Sequence, residues 1–174
     1  ADEEATPELW ESILSVTDNS SAGSGPDVYT VNRKTWYMGR WIRHCGWYPG
    51  FVPRLFRSGA ARYDAARVHE RLVFGGEAAR LRNDLDHHTD DNLFHYLKKF
   101  DRYTTLGADD LREKGRHCST ADLVVRPTFQ FLKMYLLRLG FLDGLHGLTL
   151  CLFSAAYVFV KYAKLRERSV PQPR

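Results

Sequence analysis

An aromatic-rich loop carries the first side chains that could do chemistry. Trp47-Tyr48-Pro49 is followed by Arg54-Leu55-Phe56, and two more tryptophans, Trp36 and Trp41, lie shortly before it. Aromatic rings stack on the apolar C–H faces of sugars, and an arginine binds a phosphate or carboxylate through two hydrogen bonds. This pattern favours a loop that binds an anionic sugar. The alternative is that the tryptophans at 36, 41 and 47 fill a loop-rich core.

Glu70 is an acidic residue at a position where an acid is unusual unless it has a function. Alternation along a strand places it on the same face as the apolar residues two positions before and after it. Partial burial raises the pKa of a carboxylic acid toward neutrality, which suits removal of a proton from a hydroxyl group. His69 then points to the opposite face and is expected only to support the site. The alternative is a buried glutamate that forms an ion pair with Arg67 or Arg71.

The elements that must position these residues follow from apolar periodicity and from helix and turn signals. Thr6 is expected to cap a helix whose first residue is Pro7, and Gly75-Gly76 indicates a turn between two strands. Thr89 is expected to cap a second helix, and Pro127 to begin a third. The sequence therefore predicts strands at 28–37, 53–57, 67–74 and 79–85, loops at 18–27 and 38–51, and helices from residue 6 and at 89–115, 127–139 and 145–166.

Composition and charge limit the class of protein. The 174 residues, 44% of them hydrophobic, fit one domain with a real core. Lys and Arg number 25 against 21 Asp and Glu and are dispersed, which suits phosphates or anionic lipid heads and argues against nucleic-acid binding. Cys45, Cys118 and Cys151 are widely spaced, which favours free thiols over a disulfide framework or a zinc site. With no cationic, apolar leader at its start, the chain is expected in the cytoplasm.

Five short signatures follow one another along the chain: Ala1-Asp2-Glu3, Trp47-Tyr48-Pro49, Val68-His69-Glu70, His87-x-Thr89 and Gly140-Phe141-Leu142-Asp143-Gly144. Together they resemble the second half of a family 2 glycosyltransferase, in the subgroup that adds a sugar to the lipopolysaccharide inner core of Gram-negative bacteria. The resemblance implies a truncated α/β fold of GT-A type, with a few short strands and an aromatic loop followed by a helical C-terminal half. Because the chain opens inside the family's Asp-Ala-Asp-Glu metal motif, the donor-binding half is expected to be missing.

The resemblance also implies a metal site. Asp2 matches the second carboxylate of the family's Asp-x-Asp motif, and His87 matches a histidine that completes the shell of Mg²⁺ or Mn²⁺ or touches the diphosphate. His88 is an alternative to His87, and a structural histidine would explain either residue. Taken alone, the acidic start of the chain would be an ordinary entry to a helix. Lys99 and Tyr103 match family positions on one helix face, where they could reach a phosphate or simply face solvent.

The activity implied is transfer of a hexose, with glucose expected, from a nucleotide-diphosphate sugar to a lipopolysaccharide core acceptor. UDP-glucose is the expected donor, the reaction depends on a metal, and Glu70 acts as base in a single displacement with inversion. Residues 1–88 would be the acceptor side of the catalytic domain, 89–168 a helical extension and 169–174 a disordered tail. The alternatives are a non-catalytic fragment that binds acceptor or membrane without a donor site, and a small membrane-interaction module with no sugar chemistry.

The C-terminal third indicates contact with a lipid surface. Residues 144–160 contain no Asp, Glu, Lys or Arg, a length at the lower limit for spanning a bilayer. Lys161, Lys164, Arg166 and Arg168 follow directly. This suits a pair of helices lying on a negatively charged leaflet, at the inner face of the cytoplasmic membrane. A buried helix pair and a true span are the alternatives.

Overall fold

The computed structural model describes residues 2–20, 25–64, 71–90 and 92–168. The chain divides into two compact units, one formed by Ala1–Arg43 with Trp47–Thr89 and the other by His44–Gly46 with Asp90–Arg174. His69, Glu70, the first half of the strand predicted at 67–74 and the tail 169–174 lie outside the described residues. The roles predicted for 1–88 and 89–168 stay predictions, because they concern what each part of the chain contacts.

The first unit is built on a mixed sheet of five strands with one helix. Its elements are β1 (Glu3–Ala5), α1 (Pro7–Ser20), β2 (Val28–Tyr37), β3 (Arg40–Trp41), β4 (Phe51–Phe56), β5 (Ala61–Tyr63), β6 (Leu72–Phe74) and β7 (Ala79–Asp90). The sheet order is β1-β7-β2-β3, β4 also pairs with β2, and β5 and β6 form a separate pair. β1 is antiparallel to β7, and β3 and β4 are antiparallel to β2. Hydrogen bonds between β2 and β7 advance in the same direction along both strands, from Thr30 with Ala79 to Trp36 with Thr89, as in a parallel pair.

The core of the first unit includes one face of α1 and one face of the sheet. Four buried aliphatic residues pack there: Leu9, Val31, Leu81 and Leu85. The helix begins as predicted, because the Thr6 hydroxyl accepts a hydrogen bond from the N–H of Leu9 at 3.2 Å and so satisfies a donor of the first turn. Residues 18–20, predicted as loop, are helical because no glycine or proline lies between Pro7 and Gly23 to stop the helix.

Each predicted strand is found where the structure describes it, with some ends shifted, whereas three short strands, β1, β3 and β5, were not predicted. β2 spans the predicted 28–37, and β7 begins at the predicted residue but continues to Asp90. The prediction that Thr89 caps a helix is therefore wrong: it lies in β7, and its hydroxyl donates to the carbonyl oxygen of Trp36 at 3.1 Å. The cap is Asn92, a residue type with a stronger capping preference than threonine, and it accepts from the N–H of His95 at 3.0 Å.

The second unit is helical. Its main elements are α2 (Leu93–Glu113), α3 (Thr120–Leu132), a π-helical segment (Lys133–Leu137), a 3-10 turn (Gly140–Asp143) and α4 (Gly144–Glu167). α2 and α4 match two of the predicted helices, but the prediction that α3 begins at Pro127 is wrong. Ser119 and Asp122 form a capping box, in which each accepts a hydrogen bond from the other's backbone N–H, and so the helix begins at Thr120. Pro127 lies inside it.

α4 packs along α2 over much of its length. The rings of Tyr96 and Phe153 lie 4.7 Å apart between centroids. Further along, Ala108 is buried with Tyr162 and Leu165. The ammonium group of Lys164 lies 2.7 Å from the carboxylate of Asp101, and Arg168 pairs with Asp109. Charged residues of α2 therefore pair with charged residues of the second half of α4.

A buried carboxylate in the 3-10 turn holds the short segment that begins at His44. Asp143, only 3% exposed, accepts a hydrogen bond from the N–H of His44 at 2.8 Å, and its other oxygen lies 3.0 Å from Nδ1 of that residue. The N–H of Cys45 donates to the carbonyl oxygen of Arg138 at 2.9 Å. Its Sγ lies 3.7 Å from Sγ of Cys151, and burial raises the pKa of the Cys45 thiol. This thiol is therefore protonated and serves in packing.

Two glycines permit this close packing. A Cβ atom at Gly140 would lie 2.8 Å from the carbonyl oxygen of Met134 and 2.9 Å from Sγ of Cys45. A Cβ atom at Gly147 would lie 2.0 Å from the carbonyl oxygen of Gly140. The signature that begins at Gly140 therefore specifies, in this unit, a tight turn that any larger residue would open.

Candidate functional site

Asp2 and His87, the two predicted metal ligands, lie side by side where β1 pairs with β7. Glu3 is opposite His87 in the strand register, and the N–H of His88 donates to the carbonyl oxygen of Asp2 at 2.7 Å. One carboxylate oxygen of Asp2 lies 3.4 Å from Nε2 of His87. The pairing of β1 with β7 thus brings together one residue from the start of the first unit and one from its end.

The imidazole of His87 is in the form that binds metal ions. Its burial, and the positive charge of Arg33, lower its pKa, so the ring is neutral at pH 7. Nδ1 of this ring is buried and has no hydrogen-bond partner among the described residues. His88 lies on the opposite face of β7 and stacks on Trp36, with 5.9 Å between ring centroids. Of the two histidines, His87 is therefore the one beside Asp2.

The donor set around Asp2 is small. Within the part of the chain that the structure describes, no group of three His, Cys, Asp or Glu side chains could hold a metal ion. Asp2 and His87 offer one oxygen and one nitrogen, which suits Mn²⁺, and Mg²⁺ commonly takes only one or two carboxylates together with water and substrate phosphates. The two residues therefore fit a cation that is shared with a diphosphate, and their role as ligands stays a prediction.

Arg54, predicted to bind an anionic acceptor, already holds a carboxylate. Its Nε and Nη2 donate to the two carboxylate oxygens of Glu3, both at 2.7 Å. Nη1 of Arg33 lies 4.0 Å from the same carboxylate. The hydrogen bonds from Arg54 lower the pKa of Glu3 and keep it ionised. An acceptor phosphate could bind Arg54 only by sharing it with Glu3 or by replacing that residue.

The other face of the sheet carries two carboxylates that the sequence reasoning missed. The phenol O–H of Tyr48 donates to Asp84 at 2.9 Å, and the amide of Asn32 donates to the other oxygen of Asp84 at 2.8 Å. The indole N–H of Trp36 donates to Asp86 at 2.9 Å. Asp84 and Asp86 flank the buried Leu85 at the end of the strand predicted at 79–85, and this alternation is the signal that could have found them.

Aromatic rings and cations accompany these carboxylates. Nζ of Lys34 lies 5.0 Å from the ring centroid of Trp36 and 5.1 Å from that of Trp41. Trp41 packs edge-on against Tyr48 at 5.3 Å, and Trp47 packs edge-on against another ring. Half-exposed rings beside carboxylates and a lysine offer both stacking and hydrogen bonds to a sugar. The same contacts also fill a core, so both interpretations of the tryptophans remain open.

The remaining predicted site residues lie elsewhere. Lys99 and Tyr103 are exposed on α2, in the second unit, one helical turn apart. The carbonyl oxygen of Tyr103 accepts a hydrogen bond from the phenol of Tyr157 at 3.3 Å. Glu70 and His69 lie outside the described residues, so their geometry is left as predicted. The first unit thus brings together Asp2 with His87 on one strand pair, and Tyr48 with Asp84.

Comparison with known proteins relates the chain to a curated glycosyltransferase. No family model matches the chain, and no solved structure gives a significant match. The chain is 31% identical, over 123 residues, to the lipopolysaccharide core biosynthesis glycosyltransferase LpsC of Rhizobium meliloti (strain 1021). The alignment covers 70% of this chain and 46% of that protein, so the chain spans about half the length of the curated relative. The resemblance carried by the five signatures is confirmed: this chain is similar to part of a lipopolysaccharide core glycosyltransferase.

Proposed function

We propose that the chain is the acceptor-side part of a family 2 glycosyltransferase with a GT-A catalytic domain. The whole protein would transfer a hexose, with glucose expected, from a nucleotide-diphosphate sugar such as UDP-glucose to a lipopolysaccharide core acceptor. The single observation that carries this proposal is the 31% identity to LpsC over 70% of the chain. The adjacency of Asp2 and His87 supports it, since both match family positions expected at one cation.

In this proposal Asp2 and His87 hold Mg²⁺ or Mn²⁺ together with the donor diphosphate. The cation would neutralise the charge that develops on the departing diphosphate. Glu70 would remove the proton of the acceptor hydroxyl as its oxygen attacks the anomeric carbon, so that one displacement inverts the configuration. His87 is suited to its part because its lowered pKa leaves a nitrogen lone pair available at neutral pH.

The acceptor would bind on the first unit through rings and hydrogen-bonding groups. Trp47 and Tyr48 would stack on the sugar, and Arg54 would bind a phosphate or carboxylate in exchange with Glu3. Asp84 and Asp86, close to these rings, are suited to accept hydrogen bonds from sugar hydroxyl groups. His69 would support this site, while Lys99 and Tyr103, on α2 of the second unit, stay predicted contacts of a phosphate or diphosphate.

A second candidate function is a non-catalytic fragment that binds acceptor or membrane. It is favoured by one observation, namely that the chain spans 46% of the length of its curated relative. In the GT-A arrangement that we propose, the nucleotide binds in the half that precedes the metal motif. A chain that lacks this half would keep acceptor contacts but could not hold the donor.

A calorimetric titration with UDP in the presence of Mn²⁺ tests the proposal. The chain as given is expected to bind UDP weakly or not at all, whereas a longer protein that includes the region preceding Ala1 should bind it in a Mn²⁺-dependent manner. In the control, EDTA replaces Mn²⁺, and the longer protein should then lose most of its UDP binding. Tight binding of UDP by the chain alone would contradict the assignment of this chain to the acceptor side.

A further inference from the structure

The second unit exposes a concentrated apolar surface around the turn before α4. Six large apolar side chains within ten positions are solvent-exposed, and we call them the apolar corner: Leu136, Leu137, Leu139, Phe141, Leu142 and Leu145. Leu137 is 73% exposed and Leu145 is 71% exposed. The rings of Tyr135 and Phe141 lie 6.2 Å apart, so the two sides of the turn are in contact. Soluble proteins rarely leave so many large apolar groups together in water, which marks the corner as a binding surface.

The exposed charged residues that neighbour the apolar corner along the chain have one sign. Lys133 and Arg138 are exposed within the same stretch. From Leu123 to Arg166 the sequence contains a single acidic residue, Asp143, and it is buried against His44. An apolar surface flanked by cations and without an exposed carboxylate is complementary to an anionic bilayer, whose headgroups attract Lys and Arg while its acyl region accepts Leu and Phe.

The alternative of a membrane span is weakened by what packs on α4. Among the described residues, one segment, Gly140–Glu167, is long and apolar enough to cross a bilayer by length and composition alone. Its second half lies along α2, through contacts such as Tyr96 with Phe153 and Lys164 with Asp101. A spanning α4 would carry the charged groups of α2 into hydrocarbon, which is costly. Docking at the interface leaves these groups in water.

We propose that the apolar corner is a docking surface for an anionic lipid bilayer, with Lys133 and Arg138 at the level of the headgroups. This deepens the proposed function, because it names the surface that would hold the enzyme beside a lipid-linked acceptor. It does not depend on sugar transfer. The corner would enter the outer part of the leaflet, and α2 would remain outside it.

Sedimentation with sugar-free vesicles tests this proposal. The chain should bind vesicles that contain phosphatidylglycerol, bind vesicles of pure phosphatidylcholine at least about tenfold more weakly, and be released by high salt. The double variant Leu137→Glu/Leu145→Glu should weaken binding about tenfold or more. Lys133→Gln/Arg138→Gln should remove most of the preference for anionic lipid, about tenfold in affinity.

Matched variants control for the added and removed charges. Leu14→Glu changes an exposed leucine of α1, and Lys98→Gln/Arg112→Gln removes two exposed charges of α2. Both should bind vesicles as the wild type does. Circular dichroism of every variant should match the wild type, since all of the side chains changed are exposed.

If something other than an anionic bilayer covers the apolar corner, these measurements give a different result. Equal binding to both kinds of vesicle, or no binding, would overturn the proposal. So would a dimer of the wild type that Leu137→Glu/Leu145→Glu dissociates, because a second copy would then cover the corner. Binding that resists both high salt and alkaline carbonate would indicate a span instead. If the longer protein with its donor half fails to bind vesicles that the chain alone binds, that half covers the corner and the proposal is wrong; because no sugar is present, none of these results bears on transfer.

Discussion

Replacing Gly147 by alanine is expected to lower the free energy of unfolding by about 3 kcal/mol, or to prevent the second unit from folding. The new Cβ atom would lie 2.0 Å from the carbonyl oxygen of Gly140 and 2.9 Å from Cβ of Asp143. Both atoms belong to fixed parts of the 3-10 turn, so α4 and the turn must move apart. That movement would also disturb the hydrogen bond of Asp143 to His44. Urea unfolding followed by circular dichroism measures the loss.

Gly107→Ala is the matched control, in α2 of the same unit. The nearest atoms to its new Cβ atom belong to side chains that can move, not to the backbone: Cδ of Lys161 at 3.0 Å and the phenol oxygen of Tyr157 at 3.3 Å. Alanine is favoured over glycine inside a helix by about 1 kcal/mol, so stability should be unchanged or slightly higher. A Gly147→Ala variant as stable as the wild type would show that the turn is not as tight as described. Equal losses at both positions would show the same.

Glu70→Gln is expected to reduce sugar transfer by about 10²- to 10⁴-fold in a protein that includes the donor-binding half. The amide retains the size of the side chain but cannot accept the hydroxyl proton. Donor affinity should be unchanged, because Glu70 is proposed to face the acceptor. Initial rates of transfer, measured beside UDP binding, separate the two effects.

Glu77→Gln provides the comparison for Glu70→Gln. Glu77 is an exposed acid in the same unit, and its replacement makes an identical change of charge. Transfer by this variant should equal that of the wild type. Full activity of Glu70→Gln would remove Glu70 from the role of base, and Asp84 and Asp86 would then be the carboxylates to examine next.

Local signals allowed much of the fold to be predicted. β2 is rich in β-branched and aromatic residues, and its bounds are those predicted. The cap at Thr6 is also predictable from a local signal, because its hydrogen bond joins residues only three positions apart. The errors arose where two local signals competed. Pro127 favours a helix start, but the capping box at Ser119 precedes it, and Thr89 favours a cap, but Asn92 follows it.

The candidate site was harder to predict, because it depends on contacts between distant parts of the chain. Nothing near Arg54 in the sequence indicates that Glu3 occupies its guanidinium group. Likewise, the pairing of β1 with β7 that brings Asp2 to His87 is a long-range choice that no local pattern encodes. The prediction that both residues belong to one site came from their match to family positions and not from periodicity. Asp84 was missed because its role follows from Tyr48 reaching it across the sheet.

Transfer of labelled glucose from UDP-glucose to a lipopolysaccharide core acceptor tests most directly whether Asp2 and His87 serve sugar transfer. The assay uses a protein that joins this chain to the donor-binding half that we propose, with Asp2→Asn and His87→Ala beside the wild type. The wild type should form a product of inverted anomeric configuration, and both variants should lose most of the Mn²⁺-dependent rate. A wild type that binds donor and acceptor yet transfers no sugar, or two variants with full activity, would contradict the account.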